Sequence, residues 1–144
     1  VAVSGSHAYV VGYLGYPFSY SDLTVVDISD PHAPIVVGSV ATSRPAQDVA
    51  VSGIYAYVAS RDDNAGLEVF NVSDSTAPVP VGSADPGDGA EAVVVSDGLV
   101  HVAHRREGLL PDTSSGGVSI FRDCWVFGDG FESGDSSAWS LNVP

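Results

Sequence analysis

Four aromatic residues lie within eight positions of one another in the segment GYLGYPFSYSD (12–22): Tyr13, Tyr16, Phe18 and Tyr20. On an exposed surface, such rings stack on sugar rings or anchor a protein partner, because each offers a large flat face and tyrosine adds a polar rim. The alternative is that they pack over neighbouring strands and cap a core. We favour packing, because exposed aromatic clusters are rare on soluble proteins.

Arginine is the second residue type suited to recognition. The chain has no lysine and only five arginines. Arg61 lies in SRDDNAG, and Arg105 and Arg106 lie in RREGLLPDTSSGG. A guanidinium clamps a carboxylate or phosphate through paired hydrogen bonds, so these three arginines join the four aromatics as candidate ligand-binding residues. The alternative is that they solvate loops and offset nearby acids.

The sequence carries no pattern typical of catalysis. Serines are abundant, but none lies in a G-x-S-x-G turn. The single cysteine, Cys124, has no nearby base that would activate it. We therefore predict no catalytic residue and no cofactor.

No metal site is predicted either. His101 and His104 are three positions apart, which on a strand places them on opposite faces. The run Asp62–Asn64 could supply oxygen ligands to a cation. Because Gly66 follows it, a tight turn between strands explains the same residues better.

Charge and hydropathy exclude two classes of partner. The net charge is −13, so nucleic-acid backbones and anionic membranes would be repelled. No apolar stretch approaches the roughly 18 residues that a membrane-spanning helix needs. We therefore predict no nucleic-acid partner and no membrane span.

The chain repeats itself. LTVVDISDPHAPIVVGS, from Leu23, returns as LEVFNVSDSTAPVPVGS, from Leu67, with nine of seventeen positions identical at a spacing of 44 residues. VAVSGSHAYV (1–10) returns as VAVSGIYAYV (49–58) and more loosely as VVVSDGLVHV (93–102). A repeat of about 45 residues is typical of solenoids, propellers and arrays.

Each unit contains short runs of Val, Ile, Tyr and Phe separated by turn residues, which predict strands. In the second unit the predicted strands are Asp48–Ser52, Tyr55–Ala59, Leu67–Val72 and Val79–Ser83. The first two are joined by a turn at Ser52-Gly53. No segment has helical periodicity, so the predicted fold class is all-β.

The third strand of the second unit is apolar on both faces. Leu67 and Val69 point one way, and Phe70 and Val72 point the other. Such a strand must lie between two layers. Four-stranded sheets stacked around an axis, the blades of a propeller, meet this requirement, and a β-solenoid is the second choice.

The strings LTVVDISDP, LEVFNVSDS and VAVSG-x-x-AYV resemble LVIVD repeats. The resemblance covers about Val1–Phe121. It implies a β-propeller, usually in exported or surface-associated proteins of bacteria and archaea. The third unit departs from the pattern, because the expected Ser-Asp-Pro punctuation is missing after Phe121.

The predicted architecture is therefore an incomplete β-propeller of about two and a half blades, each a four-stranded antiparallel sheet. The units are 1–48, 49–92 and 93–123, followed by a Gly/Ser/Asp-rich tail, 124–144. Two and a half blades cannot close a ring. We expect the remaining blades to belong to a longer chain, and a homo-oligomeric ring ranks second.

The tail contains GDGFESGDSSAW, which resembles a DGFESGD segment found at the C-terminal ends of secreted Gram-negative proteins. The resemblance implies export, with a sorting or anchoring role, and a flexible linker is an equally weighted alternative. The tail lacks the alternating acids of an EF-hand, so we do not predict a calcium site.

Together these features predict a non-catalytic binding or scaffold module of an exported bacterial protein, extracellular or on the cell surface. Its inter-strand loops would contact a protein or carbohydrate partner, because variable loops on a rigid scaffold carry binding. One alternative is a hydrolase-like enzyme with its catalytic residues in missing blades. The other is a purely structural surface repeat.

Overall fold

The computed structural model describes residues 1–14, 20–61, 66–87, 89–106 and 115–122. Within these residues the chain forms eleven β-strands and no helix. The strands are β1 (Ala2–Ser4), β2 (His7–Leu14), β3 (Tyr20–Asp27), β4 (Ile35–Ala41), β5 (Ala46–Ser52), β6 (Tyr55–Ser60), β7 (Leu67–Asn71), β8 (Val79–Ala84), β9 (Ala90–Ser96), β10 (Leu99–Arg106) and β11 (Ser115–Arg122).

The strands form three antiparallel sheets in which each strand pairs with the next along the chain. Blade 1 contains β1 to β4, blade 2 contains β5 to β8, and blade 3 contains β9 to β11. The prediction of an all-β, incomplete propeller is confirmed. The four strands predicted in the second unit are also confirmed, with ends that agree to within two residues.

Tight turns join the first and second strands of every blade. Gly5 and Gly53 open the turns of blades 1 and 2 with φ of 57°, a region that glycine enters without a steric cost. Blade 3 uses Asp97 and Gly98, with φ of 54° and 71°. Positive φ at both positions is typical of a two-residue hairpin turn, for which Asp-Gly is a preferred pair.

In blades 1 and 2, an aspartate side chain stabilises the turn between the third and fourth strands. The Oδ1 atoms of Asp30 and Asp74 accept hydrogen bonds from the backbone N–H groups of His32 and Thr76, each at 2.9 Å. The hydroxyl of Thr76 also donates to Asp74. Hydrogen bonds from the side chain and then the backbone of Thr76 lower the pKa of Asp74, so the charged carboxylate stabilises this turn.

Two apolar clusters bind the blades together, one on each side of blade 2. The first, between blades 1 and 2, contains Tyr9, Leu23, Val25, Ala46, Val49, Ala56, Val58, Phe70 and Val72. The second, between blades 2 and 3, contains Tyr57, Ala59, Leu67, Val69, Ala90, Val93, Val100 and Val102. The predicted two-faced third strand is confirmed, because its alternate residues belong to different clusters.

Glycine is required where blade 1 meets the outer turn of blade 2. A Cβ atom on Gly38, in β4, would lie 3.0 Å from the backbone carbon of Thr76 and 3.1 Å from Cδ of Pro78. It would lie closer still to the carbonyl oxygen of Ser75. Most of these neighbours are backbone atoms, which cannot rotate away as a flexible side chain does.

The Gly38→Ala variant is expected to lower the free energy of unfolding by about 1–3 kcal/mol, because the added methyl overpacks this contact. Urea denaturation with a spectroscopic readout measures the change. Gly12→Ala, in β2 of the same blade, is the matched control, since a Cβ there meets no atom within 4 Å. Similar losses in both variants would contradict the proposed backbone contact.

Candidate functional site

Three loops, one in each blade, join the second strand to the third. They leave the sheets at one edge, the loop edge, defined by the residues that flank them: Leu14 and Tyr20, Ser60 and Gly66, and Arg106 and Ser115. The loop residues 15–19, 62–65 and 107–114 lie outside the described residues. Their attachment to a common edge follows from the strands that carry them.

The predicted aromatic cluster begins and ends at this edge. Tyr13 lies in β2, paired with Ser21, and Tyr20 begins β3. Tyr16 and Phe18, at the centre of the cluster, lie outside the described residues. The backbone therefore places the two flanking tyrosines at the loop edge, and ligand stacking by the four rings stays a prediction.

The structure brings Arg61 onto a partner that the sequence analysis did not identify. Its Nη2 atom lies 2.8 Å and 2.7 Å from the two carboxylate oxygens of Glu91, in β9. The ion pair joins blade 2 to blade 3 across the loop edge. The side chain of Arg61 is 51% exposed and that of Glu91 33% exposed, so the pair contributes at most about 1 kcal/mol and leaves polar atoms at the surface.

Arg105 occupies the position in blade 3 that Arg61 occupies in blade 2. Its backbone N–H donates to the carbonyl of Gly89 at 3.0 Å, as that of Arg61 donates to Pro45 at 3.2 Å. Both side chains are exposed. Successive blades thus present an arginine at the same place on the loop edge, and the backbone of Arg106 continues β10 beside it.

A buried carboxylate lies beneath the loop edge in blade 2. Glu68, in β7, is 6% exposed. Its Oε2 accepts the backbone N–H of Ser43 at 2.9 Å, and its Oε1 accepts the hydroxyl of Ser60 at 3.3 Å. Because Ser43 belongs to the segment between β4 and β5, the carboxylate holds the connection between blades 1 and 2.

The equivalent connection in blade 3 uses Ser119 and His104 instead of a carboxylate. The buried hydroxyl of Ser119 donates to the carbonyl of Pro86 at 2.9 Å, and its oxygen lies 3.3 Å from Nε2 of His104. A Cβ on Gly117 would lie 2.8 Å from the His104 ring, so glycine there makes room for the histidine. Ser119 is 1% exposed, and its hydrogen bond to Pro86 holds the segment that connects blade 2 to blade 3.

A third set of hydrogen bonds fixes the first strand of blade 2. The hydroxyl of Ser21 donates to the carbonyl of Gly12 at 2.6 Å and accepts the backbone N–H of Ala46 at 3.0 Å. The hydroxyl of Thr42 donates to the carbonyl of Ser21. The loop edge therefore rests on buried polar contacts that join the blades.

The structure describes only some of the residues on which the predictions about metal sites and membrane spans depend. Among residues 1–14, 20–61, 66–87, 89–106 and 115–122, no three His, Cys, Asp or Glu side chains are grouped so as to hold a metal ion. The same residues include no helix of the length and hydropathy needed to cross a bilayer. Asp62–Asn64 and the tail, 124–144, lie outside the described residues.

Comparison with known proteins supports the repeat architecture. No curated protein matches the chain. The family model of the LVIVD repeat matches it twice in succession, at residues 1–42 and 43–85. These two matches cover blades 1 and 2 and more than half of the sequence. The chain therefore belongs to the LVIVD repeat family.

Proposed function

We propose that this chain is a non-catalytic binding or scaffold module that contacts a protein or carbohydrate partner through the loop edge. One observation carries the proposal: three loops of different sequence leave the same edge of blades whose strands repeat. Variable loops on a rigid scaffold are where binding residues concentrate.

The chemistry of the edge supports a polar ligand with flat apolar faces. Tyr13 and Tyr20 flank the first loop, and exposed arginines recur in the next two blades. Aromatic rings stack on sugars, while guanidinium groups donate hydrogen bonds to hydroxyl or carboxylate oxygens. Carbohydrate is therefore the class of partner that we would test first.

Export to the extracellular space or cell surface of a bacterium is part of the same proposal. Its support is the resemblance of GDGFESGDSSAW to C-terminal segments of secreted proteins. A loop edge that binds surface polysaccharide or a surface protein would meet its ligand in that location. The enzyme alternative requires catalytic residues from further blades, and the structural alternative requires no ligand.

The test is affinity electrophoresis of the chain in gels that contain laminarin, xylan or pectin. We expect retardation by at least one polysaccharide. The double variant Tyr16→Ser, Phe18→Ser should weaken that binding about tenfold, because two stacking contacts are lost. Ile54→Ser is the control, since Ile54 is 47% exposed on the opposite edge and should leave binding unchanged.

Two results would contradict the proposal for carbohydrate. The first is migration unaffected by all three polysaccharides, which would leave a protein partner or the purely structural repeat. The second is undiminished binding after the loop residues 15–19, 62–65 and 107–114 are replaced together by Gly-Ser segments of equal length. Thermal unfolding of each variant shows whether the blades remain folded.

A further inference from the structure

The ion pair at the loop edge has the contacts with which an arginine binds an acidic ligand. Nη2 of Arg61 donates to both carboxylate oxygens of Glu91, at 2.8 Å and 2.7 Å. A guanidinium binds the carboxylate of a ligand through charge-assisted hydrogen bonds of the same kind. Glu91 therefore occupies the place on Arg61 that the carboxylate of an acidic sugar would take.

The charges around this pair also oppose an acidic ligand. Arg44 and Asp85 lie in the segments that connect the blades at the loop edge. Among the side chains that the structure describes at this edge, carboxylates outnumber arginines: Asp22, Glu68, Asp85 and Glu91 against Arg44, Arg61 and Arg105. The whole chain carries a net charge of −13. Because like charges repel one another across an interface, a polyanion approaches this edge at a cost in free energy.

The same ion pair suits the hydroxyl groups of a neutral sugar. Both side chains remain partly exposed. Each carboxylate oxygen of Glu91 has two lone pairs, and so can accept a hydrogen bond from a sugar hydroxyl in addition to that from Arg61. The carboxylate of an ionised acidic sugar only accepts hydrogen bonds, and its charge is repelled by Glu91. The pair therefore discriminates between sugars by their charge.

We propose that the loop edge binds neutral polysaccharide in preference to acidic polysaccharide, and that Glu91 is a specificity-determining residue for this choice. The inference rests on the carbohydrate ligand proposed above and narrows its class. Glu91 acts in two ways. It occupies the guanidinium of Arg61, which would otherwise bind a carboxylate, and it places its own negative charge beside the ligand.

The first experiment is isothermal titration calorimetry of the chain with three oligosaccharides of equal length. Laminarihexaose and xylohexaose are neutral, and hexagalacturonate carries a carboxylate on every sugar. We expect at least one neutral oligosaccharide to bind, and hexagalacturonate to bind about tenfold more weakly than that one, because its charges are repelled by the edge. Low ionic strength keeps this repulsion measurable.

Glu91→Gln tests the residue itself. The glutamine keeps the size of the side chain and an oxygen that can accept from Arg61, but it leaves the guanidinium charge uncompensated. We expect the Kd for hexagalacturonate to fall about threefold, as for one exposed ion pair. The gain should disappear in the double variant Arg61→Gln, Glu91→Gln, because the cation that binds the carboxylate is then absent.

Asp97→Asn is the matched control. It removes the same charge from the same blade, but Asp97 lies in the turn after β9, at the end of that strand opposite to Glu91. Asparagine adopts the positive φ of this position readily, so the turn is retained. The control should leave the Kd for hexagalacturonate unchanged, and thermal unfolding of all variants shows whether the blades remain folded.

The outcomes separate this inference from the proposed function. Binding of hexagalacturonate that is tighter than binding of both neutral oligosaccharides would overturn the inference and leave the carbohydrate proposal standing. An equal gain in Glu91→Gln and Asp97→Asn would overturn the role of Glu91, since net charge alone would then explain the preference. The absence of any gain in folded Glu91→Gln would do the same. No binding of any of the three would overturn the carbohydrate proposal and this inference with it.

Discussion

Replacing Phe70 with alanine is expected to lower the free energy of unfolding by about 3–5 kcal/mol. Phe70 is fully buried in the cluster between blades 1 and 2. Its ring lies between two sheets whose strands are paired along their length, so the surrounding backbone has little freedom to collapse into the space. The loss therefore combines the transfer free energy of the ring with the cost of a cavity.

Urea denaturation at one fixed protein concentration measures this change, because any association of copies would make stability depend on concentration. Val81→Ala is the control in the same blade. Val81 is 39% exposed in the outer strand β8 and should cost less than about 1 kcal/mol. A loss for Phe70→Ala no larger than that of the control would show that this interface does not hold the blades together.

Hydrogen exchange would show which strands lose protection when Phe70 is replaced with alanine. If Phe70 fastens blade 1 to blade 2, its removal should increase exchange in β1 to β4 more than in β9 to β11. The second cluster, which contains Tyr57 and Leu67, is unchanged in this variant. Equal loss of protection in blades 1 and 3 would indicate that the three blades unfold as one unit.

The stacking of the blades could be predicted from the sequence, because it follows from the alternation of apolar residues within one short strand. A strand with period-two alternation and apolar residues at both sets of positions must be covered on both sides. Leu67 with Val69, and Phe70 with Val72, satisfy this condition within six residues. Similar segments recur 44 residues apart, and similar segments form equivalent strands.

The polar contacts at the loop edge could not be predicted in the same way, because they join residues far apart in sequence. Glu68 contacts Ser43 across 25 residues, and Arg61 contacts Glu91 across 30. No local periodicity encodes such a pair. One signal was present: a glutamate within the apolar strand LEVFN requires a buried partner, although the sequence does not say which.

The arginines of the candidate site also show which contacts could not be predicted from the sequence. Arg61 and Arg105 were selected for their chemistry, and the structure places them at equivalent positions of successive blades. This equivalence could be predicted from the repeat, since the two residues are 44 positions apart. The ion pair of Arg61 with Glu91 could not be predicted from the repeat, because Glu91 belongs to the following blade. Only the stacking of the blades brings the two side chains together.

Removal of the Glu68 carboxylate is the second substitution for which we expect a large effect. Glu68→Ala should lower the free energy of unfolding by about 2–4 kcal/mol, since it leaves the N–H of Ser43 and the hydroxyl of Ser60 without their buried acceptor. Hydrogen bonds to a charged acceptor are stronger than those between neutral groups. The change is measured by urea denaturation, with circular dichroism as the check on folding.

Glu68→Gln separates the acceptor from the charge. The amide oxygen can still accept the N–H of Ser43, and the amide nitrogen can donate to the hydroxyl oxygen of Ser60, so the loss should be about 1 kcal/mol or less. Equal losses for the alanine and glutamine variants would show that the negative charge, rather than the hydrogen-bond geometry, holds the connection. A stabilised alanine variant would show that desolvation of the carboxylate outweighs both of its contacts, and that apolar packing alone maintains the blades at this edge.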